Sequence, residues 1–122
     1  MKSFLIAGSL AVLCAAPAFA ADDVMAGFYG NTAVSTGGPL EIRTHYRADR
    51  TFDFVGSAMF MSRTFKGAWA LDGKGNICRT FIGDVPQGAT NPSCAPITAH
   101  KLGDTWKSKD GMRTITLKAG VL

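Results

Sequence analysis

The sequence lacks the short motifs by which catalytic sites are commonly recognised. It contains no G-x-S-x-G nucleophile turn, no H-E-x-x-H zinc motif and no P-loop. It also has only two histidines, and each has basic neighbours: His45 lies near Arg43 and Arg47, and His100 precedes Lys101. Basic neighbours disfavour a bound cation. We therefore predict two surface histidines, no metal site, no cofactor and no catalytic residue that the sequence can name.

Neither positive nor negative charge is concentrated in one part of the sequence. The net charge is +4, from 13 basic and nine acidic residues, and the closest basic neighbours in the second half are Lys107 and Lys109. Nucleic-acid binding requires a clustered basic stripe. We therefore expect a solvated surface and no nucleic-acid partner.

Long apolar runs are missing outside the first twenty residues. Lys2, the apolar segment 4–13 and the small residues Ala18-Phe19-Ala20 have the layout of a secretory signal peptide, and the apolar segment is too short to span a bilayer. We predict cleavage after Ala20, which leaves one domain over residues 21–122. We expect a bacterial protein that is periplasmic or secreted, with no membrane span after cleavage.

Cysteine is scarce, and removal of the signal peptide leaves only Cys78 and Cys94. Exported proteins fold in an oxidising compartment, and the spacing is not that of a C-x-x-C redox or metal motif. We predict a structural disulfide between them.

Alternating apolar and polar residues dominate the rest of the chain. Residues 40–48 alternate over nine positions, with Ile42, Thr44 and Tyr46 on one face and His45 on the other. Such period-two patterns, with turn signals every 8–12 residues, are typical of antiparallel all-β domains. We predict a small antiparallel barrel or barrel-like sandwich, with one short N-terminal helix over 21–29. The expected strands are 31–35, 40–48, 51–55, 64–71, 76–82, 101–106 and 111–119.

Polar and proline-rich segments separate these strands. Asp49, Asp72 and Asp110 each occupy a predicted turn, where a carboxylate can accept main-chain hydrogen bonds. Residues 83–96 contain three prolines and are predicted to form an irregular loop that Cys94 tethers. Within that loop, polar side chains suit contacts with a partner: Asp84, Gln87, Asn91 and Ser93.

Six aromatic side chains are predicted to point into the barrel: Phe52, Phe54, Phe65, Trp69, Phe81 and Trp106. They could fill the interior or line a site for a small apolar ligand. We expect a filled interior, with function on the loops. Met59 and Met61 could supply two thioethers to Cu(I), but two ligands are too few, and methionines also fill irregular cores. We predict that both pack in the core.

Several short motifs together resemble a group of small exported bacterial β-domains of unknown function, which are similar to calycin-like barrels. The motifs are Gly30-Asn31-Thr32, Tyr46-x-x-Asp49-x-Thr51, Gly67-x-Trp69, Cys78, Cys94 and Gly103-Asp104-x-Trp106. One departure is Arg50, where glycine would complete an Asp-Gly turn. The resemblance implies a barrel-like fold and carries no catalytic residues.

Three functional hypotheses follow. The first is a non-catalytic interaction or inhibitor module that contacts a protein through the disulfide-tethered loop. The second is a carrier of a small apolar ligand in the barrel interior. The third is a small enzyme whose site is not recognisable from sequence. A cavity in the structure would favour the second over the first.

Overall fold

The chain forms one antiparallel β-sheet. The computed structural model describes residues 24–122, so the predicted signal peptide and its cleavage site lie outside the described residues. One helical turn at residues 24–26 precedes eight strands. The strands are β1 (Asn31–Thr36), β2 (Glu41–Tyr46), β3 (Thr51–Ala58), β4 (Met61–Leu71), β5 (Asn76–Ile82), β6 (Ser93–Pro96), β7 (Thr105–Lys107) and β8 (Thr114–Ala119). Among residues 24–122, no helix is long and apolar enough to cross a bilayer.

The strand order is β6-β5-β4-β3-β2-β1-β8-β7. Strands β1 to β6 form a meander, and the chain then returns so that β8 pairs with β1, with Ala33 opposite Leu117. The edge strands β6 and β7 are not paired with each other in the part of the chain described. The sheet is therefore a curled half-barrel, which confirms the prediction of an all-β, barrel-like fold.

The alternation in the sequence correctly predicts which side chains face inward. Tyr46 of β2 is buried in the core, and Phe52 of β3 lies opposite it. Phe65 and Trp69 of β4 are buried on the same concave face. An apolar cluster therefore fills one half of the concave side, and the N-terminal turn covers part of it with Met25.

Aromatic rings in this cluster meet edge to face. Phe52 and Phe81 have ring centroids 5.3 Å apart and an interplanar angle of 79°. Phe28, from the N-terminal turn, approaches Tyr46 at 5.8 Å and 90°. Such pairs contribute about 1 kcal/mol beyond the area that they bury.

The Gly67-x-Trp69 motif has a steric explanation. A Cβ atom on Gly67 would lie 2.0 Å from the carbonyl oxygen of Thr80 and 2.8 Å from the Phe52 ring. Only glycine allows β4 to approach β5 and this ring so closely. Two residues later, the Trp69 indole donates a 3.0 Å hydrogen bond to the carbonyl of Arg47, which fixes the β2–β3 turn against the core.

The prediction that His45 is a surface residue is wrong. Its side chain is only 5% exposed, because residues 120–122 cover the polar face of β2. Nδ1 lies 3.0 Å from the Thr32 hydroxyl, and Nε2 lies 3.0 Å from the main-chain oxygen of Leu122. The Thr32 hydroxyl donates in turn to the carbonyl of Gly120. A local pattern could not show that a distant segment covers this face.

His100 is also not a free surface residue. Its ring stacks on Trp106 with centroids 3.5 Å apart, and Nδ1 lies 3.3 Å from Asp104 Oδ2. The residues before β7 thus fold back onto the tryptophan, a contact that depends on the turn at Gly103 rather than on strand alternation.

Two further predictions need correction. Residues 93–96 form strand β6 rather than irregular loop, with Cys94 directly opposite Cys78. The sulfur atoms of these cysteines lie 2.15 Å apart, at disulfide distance. Met59 and Met61 do not pack in the core: they flank the β3–β4 turn, which extends beyond the sheet, and both are exposed.

The predicted turn carboxylates are confirmed. Asp49 accepts from the Thr51 amide, Asp72 from the Lys74 amide and Asp110 from the Met112 amide. These three and Asp104 have pKa values below the ordinary value of aspartate, because hydrogen bonds stabilise the charged form. The largest contribution comes from the Thr51 side chain for Asp49, the Asn76 side chain for Asp72, the Lys101 amide for Asp104 and the Met112 amide for Asp110.

Reduction of the disulfide is expected to lower the free energy of unfolding by about 3 kcal/mol, since the unfolded chain gains the freedom of a 16-residue loop. Urea unfolding followed by tryptophan fluorescence, with and without dithiothreitol, measures the difference. The Cys78→Ser/Cys94→Ser double variant is the control and should not respond to the reductant. Equal stability of the wild type in both buffers would contradict the prediction.

Acid is expected to destabilise the fold through the turn carboxylates. A carboxyl group whose pKa is lowered on folding contributes stability above its unfolded pKa and loses it as the pH falls through its folded pKa. The free energy of unfolding should therefore decrease below about pH 4. Urea titrations at a series of pH values should show a shallower acid dependence in Asp72→Asn than in wild type. Identical slopes in the two proteins would refute this role for Asp72.

Candidate functional site

The concave face of the half-barrel contains a cavity of about 440 Å³. Its wall includes Ile77 of β5 and Ala95 of β6 on one side, and Trp106 of β7 and Ile115 of β8 on the other. The cavity therefore lies between the two unpaired edges of the sheet. The expectation of a filled interior does not hold in this half, because the aromatic cluster occupies only the other half. We call this space the interior cavity.

Most of the cavity wall is apolar. The apolar side chains along it belong to Phe28, Ala33, Ile42, Tyr46, Phe54, Ile77, Ala95, Pro96, Ile97, Trp106 and Ile115. Ligand sites are commonly 300–1,000 Å³ and combine such a wall with a few polar groups. The interior cavity fits this description in both size and composition.

The charged groups of the wall are all basic. Lys107, Lys109 and Arg113 belong to the β7–β8 hairpin, and we call them the basic rim. Arg79 of β5 joins the wall from the other side. Among residues 24–122, no aspartate or glutamate lines the cavity. The interior cavity therefore has a positive potential that the nearby chain does not neutralise.

Arg113 is held in place by neutral acceptors. Its guanidinium donates to the Ser35 hydroxyl at 2.6 Å, the Ser35 carbonyl at 2.9 Å and the Leu40 carbonyl at 2.8 Å. Within the described residues, no carboxylate lies within 4.0 Å of it. These hydrogen bonds fix the β7–β8 hairpin to the β1–β2 connection, and the positive charge of Arg113 interacts electrostatically with Asp110 without a direct ion pair.

Arg79 has an unmet hydrogen-bonding requirement. Its Nε atom is buried and has no hydrogen-bond partner in the structure. Its guanidinium carbon lies 5.8 Å from the centre of the Phe54 ring. A buried donor without an acceptor costs about 1–3 kcal/mol. An acceptor from a ligand in the interior cavity would remove that cost and would balance the charge.

The six aromatic residues predicted as ligand contacts divide into two groups. Phe54 and Trp106 line the interior cavity. The other four are buried in the adjacent core: Phe52, Phe65, Trp69 and Phe81. These four support the wall rather than form it.

The four polar residues predicted as partner contacts have different environments. Asp84 is exposed and pairs with Arg63 at 3.0 Å, and Gln87 is exposed. Asn91 accepts from the Phe81 amide and donates to the Phe81 carbonyl, so its side chain fixes the segment to β5. Ser93 begins strand β6. The structure therefore gives Asn91 a role within the fold.

The basic wall was missed by sequence reasoning, although a signal was present. Ile77, Arg79 and Phe81 alternate along β5 and share a face. An arginine between two core residues is an exception to the apolar pattern, and such exceptions mark functional positions. Lys107 and Lys109 gave no comparable signal, because each reads as an ordinary solvated residue of a hairpin.

Comparison with known proteins adds no evidence about the function of this site. No protein-family model, curated protein or solved structure matches the chain. The site is thus defined by its own chemistry: an apolar cavity of ligand size, a half-buried arginine whose buried Nε lacks an acceptor, and a rim of three further cations.

Proposed function

We propose that this protein binds a small amphipathic anion, with an apolar body and one carboxylate, sulfonate or phosphate group, as a non-catalytic carrier. The observation that carries the proposal is the buried Nε of Arg79, which lacks an acceptor in the wall of a mainly apolar cavity. The apolar body would lie against Phe54, Trp106 and Ile115. The anionic group would pair with Arg79, and the basic rim would add to the positive potential around it.

Both parts of such a ligand would contribute to affinity. Burial of apolar surface is favourable by about 25 cal/mol per Å². A hydrogen bond that involves a charged group contributes about 1.5–3 kcal/mol, more than a bond between neutral groups. Because the Nε of Arg79 is already buried in the free protein, part of the desolvation cost of this group has been met before the ligand arrives.

The cavity favours the carrier hypothesis over an interaction module. The loop expected to contact a protein partner uses Asn91 to hold itself to β5, which leaves fewer groups for a partner. The interaction or inhibitor module stays a prediction. We also place the carrier outside the cytoplasm, since a disulfide-distance cysteine pair suits an oxidising compartment. The resemblance to calycin-like barrels agrees with a ligand in the interior.

Two dyes with the same rings separate the apolar and anionic contributions. 8-Anilinonaphthalene-1-sulfonate carries a sulfonate, and N-phenyl-1-naphthylamine does not. We expect the wild type to bind both, and the sulfonate about tenfold more tightly, as one charge-assisted hydrogen bond implies. Arg79→Met should remove that preference and leave the affinity for the neutral dye unchanged. Dye fluorescence titrations, with energy transfer from Trp106, measure both affinities.

Matched variants make this test specific. Arg43→Met is the control, because Arg43 also has a buried Nε without a hydrogen-bond partner, although it pairs with Glu41 at 3.7 Å, and does not line the interior cavity. It should bind both dyes as the wild type does. Ala95→Trp should weaken both dyes by filling the cavity. If Ala95→Trp binds them normally, the dyes bind elsewhere; if Arg79→Met keeps the preference for sulfonate, the anionic part of the proposal is wrong.

A further inference from the structure

The β3–β4 hairpin ends in three consecutive large apolar side chains that face solvent. Met59, Phe60 and Met61 are 94%, 98% and 79% exposed. We call these three residues the apolar tip. An exposed phenylalanine between two exposed methionines is unfavourable in water, and contiguous exposed apolar groups commonly mark interaction sites.

The turn at the apolar tip contains strained backbone. Ala58 pairs with Met61, so Met59 and Phe60 form a two-residue hairpin loop. Met59 has a φ of 54°, in the left-handed region where a side chain is disfavoured. Hairpin loops with positive φ at the first position prefer glycine there. A methionine at this position makes the turn less stable than a glycine would, and such a loss is expected where the side chain takes part in binding.

The sheet register places the apolar tip at the same end of the sheet as the basic rim. Ser35 lies opposite Ile42, which lies opposite Gly56 in β3. Arg113 contacts Ser35, so it marks this end. From Gly56, β3 continues by three residues to the apolar tip, which therefore projects about 10 Å further.

The β7–β8 hairpin adds to this end of the molecule. Lys107 lies opposite Thr114, which pairs with Thr36 at the end of β1. Met112 in the same hairpin turn is 73% exposed. A fourth exposed apolar side chain thus lies in the hairpin of the basic rim, at the same end of the sheet as the apolar tip.

The charge balance at this end is positive. Two of its acidic groups are in ion pairs: Glu41 with Arg43 at 3.7 Å, and Asp84 with Arg63 at 3.0 Å. In the described part of the chain, Asp110 lies in the hairpin of the basic rim and interacts electrostatically with Arg113, while its carboxylate accepts from the Ser108 hydroxyl and the Met112 amide. The end therefore combines apolar side chains that project outward with more basic than acidic side chains.

We propose that this end of the molecule docks on an anionic lipid bilayer, with the apolar tip inserted and the basic rim over the lipid headgroups. Aromatic and apolar side chains enter the interfacial region of a membrane, and each basic residue near an anionic surface adds to the attraction. A protein partner fits less well, since stable interfaces bury about 800 Å² on each side, far more than one narrow hairpin turn offers. Reversible membrane binding needs only a small apolar insertion together with basic residues.

Vesicle co-sedimentation tests the proposal with the full protein. The wild type should bind vesicles of phosphatidylglycerol and phosphatidylethanolamine, should bind pure phosphatidylcholine weakly, and should lose binding in high salt. Phe60→Asn should bind the anionic vesicles about tenfold less tightly, since an aromatic side chain that leaves water contributes at least that factor. Asparagine suits the turn, and urea unfolding followed by tryptophan fluorescence checks that the variant is folded.

Leu102→Asn is the matched control, because Leu102 is also exposed but precedes β7 at the opposite end of that strand. It should bind vesicles as the wild type does. Failure of the wild type to bind anionic vesicles, or equal binding by Phe60→Asn, would overturn the proposal. Concentration-dependent dimerisation that Phe60→Asn abolishes, without vesicle binding, would assign the apolar tip to a second copy of the chain and also overturn it. None of these outcomes depends on which anion occupies the cavity.

Discussion

The edge strands β6 and β7 do not pair with each other in the part of the chain described, and the interior cavity exists because of the gap between them. A closed barrel of this size would be filled by its own side chains. Here the aromatic cluster fills the half beneath β3, β4 and β5, and the space between β6 and β7 is left to the cavity. Open edges invite unwanted strand pairing. Both edge strands are short, and β6 ends in Pro96 while β7 ends in Lys107, which limits that risk.

Positive charge in the cavity can persist because the fold holds it with neutral groups. Arg113 is fixed by the Ser35 hydroxyl and two main-chain carbonyls, which accept three hydrogen bonds from it and, being neutral, do not cancel its charge. Arg79 keeps one donor unsatisfied against an aromatic wall. A carboxylate at either position would stabilise the free protein and would also neutralise the site. The arrangement gives up some stability and retains electrostatic complementarity to an anion.

The local sequence pattern was sufficient to predict the strands but not the candidate site. Alternation identified the inward faces of β2 and β4, and aspartates identified the turns, because these depend on neighbours in sequence. The burial of His45 depends on residues 120–122, and β6 forms because Cys94 lies opposite Cys78. The interior cavity depends on how far the sheet curls. The sequence of a single strand predicts none of these three features. Arg79, a charged residue on the apolar face of β5, was the one signal of the site that the sequence contained.

The return of β8 to β1 also constrains how the molecule assembles. The pairs from β1 to β6 join neighbours along the chain, whereas β1 and β8 pair across 78–88 residues, and the Thr32 hydroxyl also contacts the carbonyl of Gly120. Contacts that are local in sequence form fastest, and distant ones carry the larger entropic cost of closure. The meander can therefore organise first, and the β7–β8 wall is added when the last part of the chain is available. The wall of the interior cavity is then completed only when β8 pairs with β1, at a late step of folding.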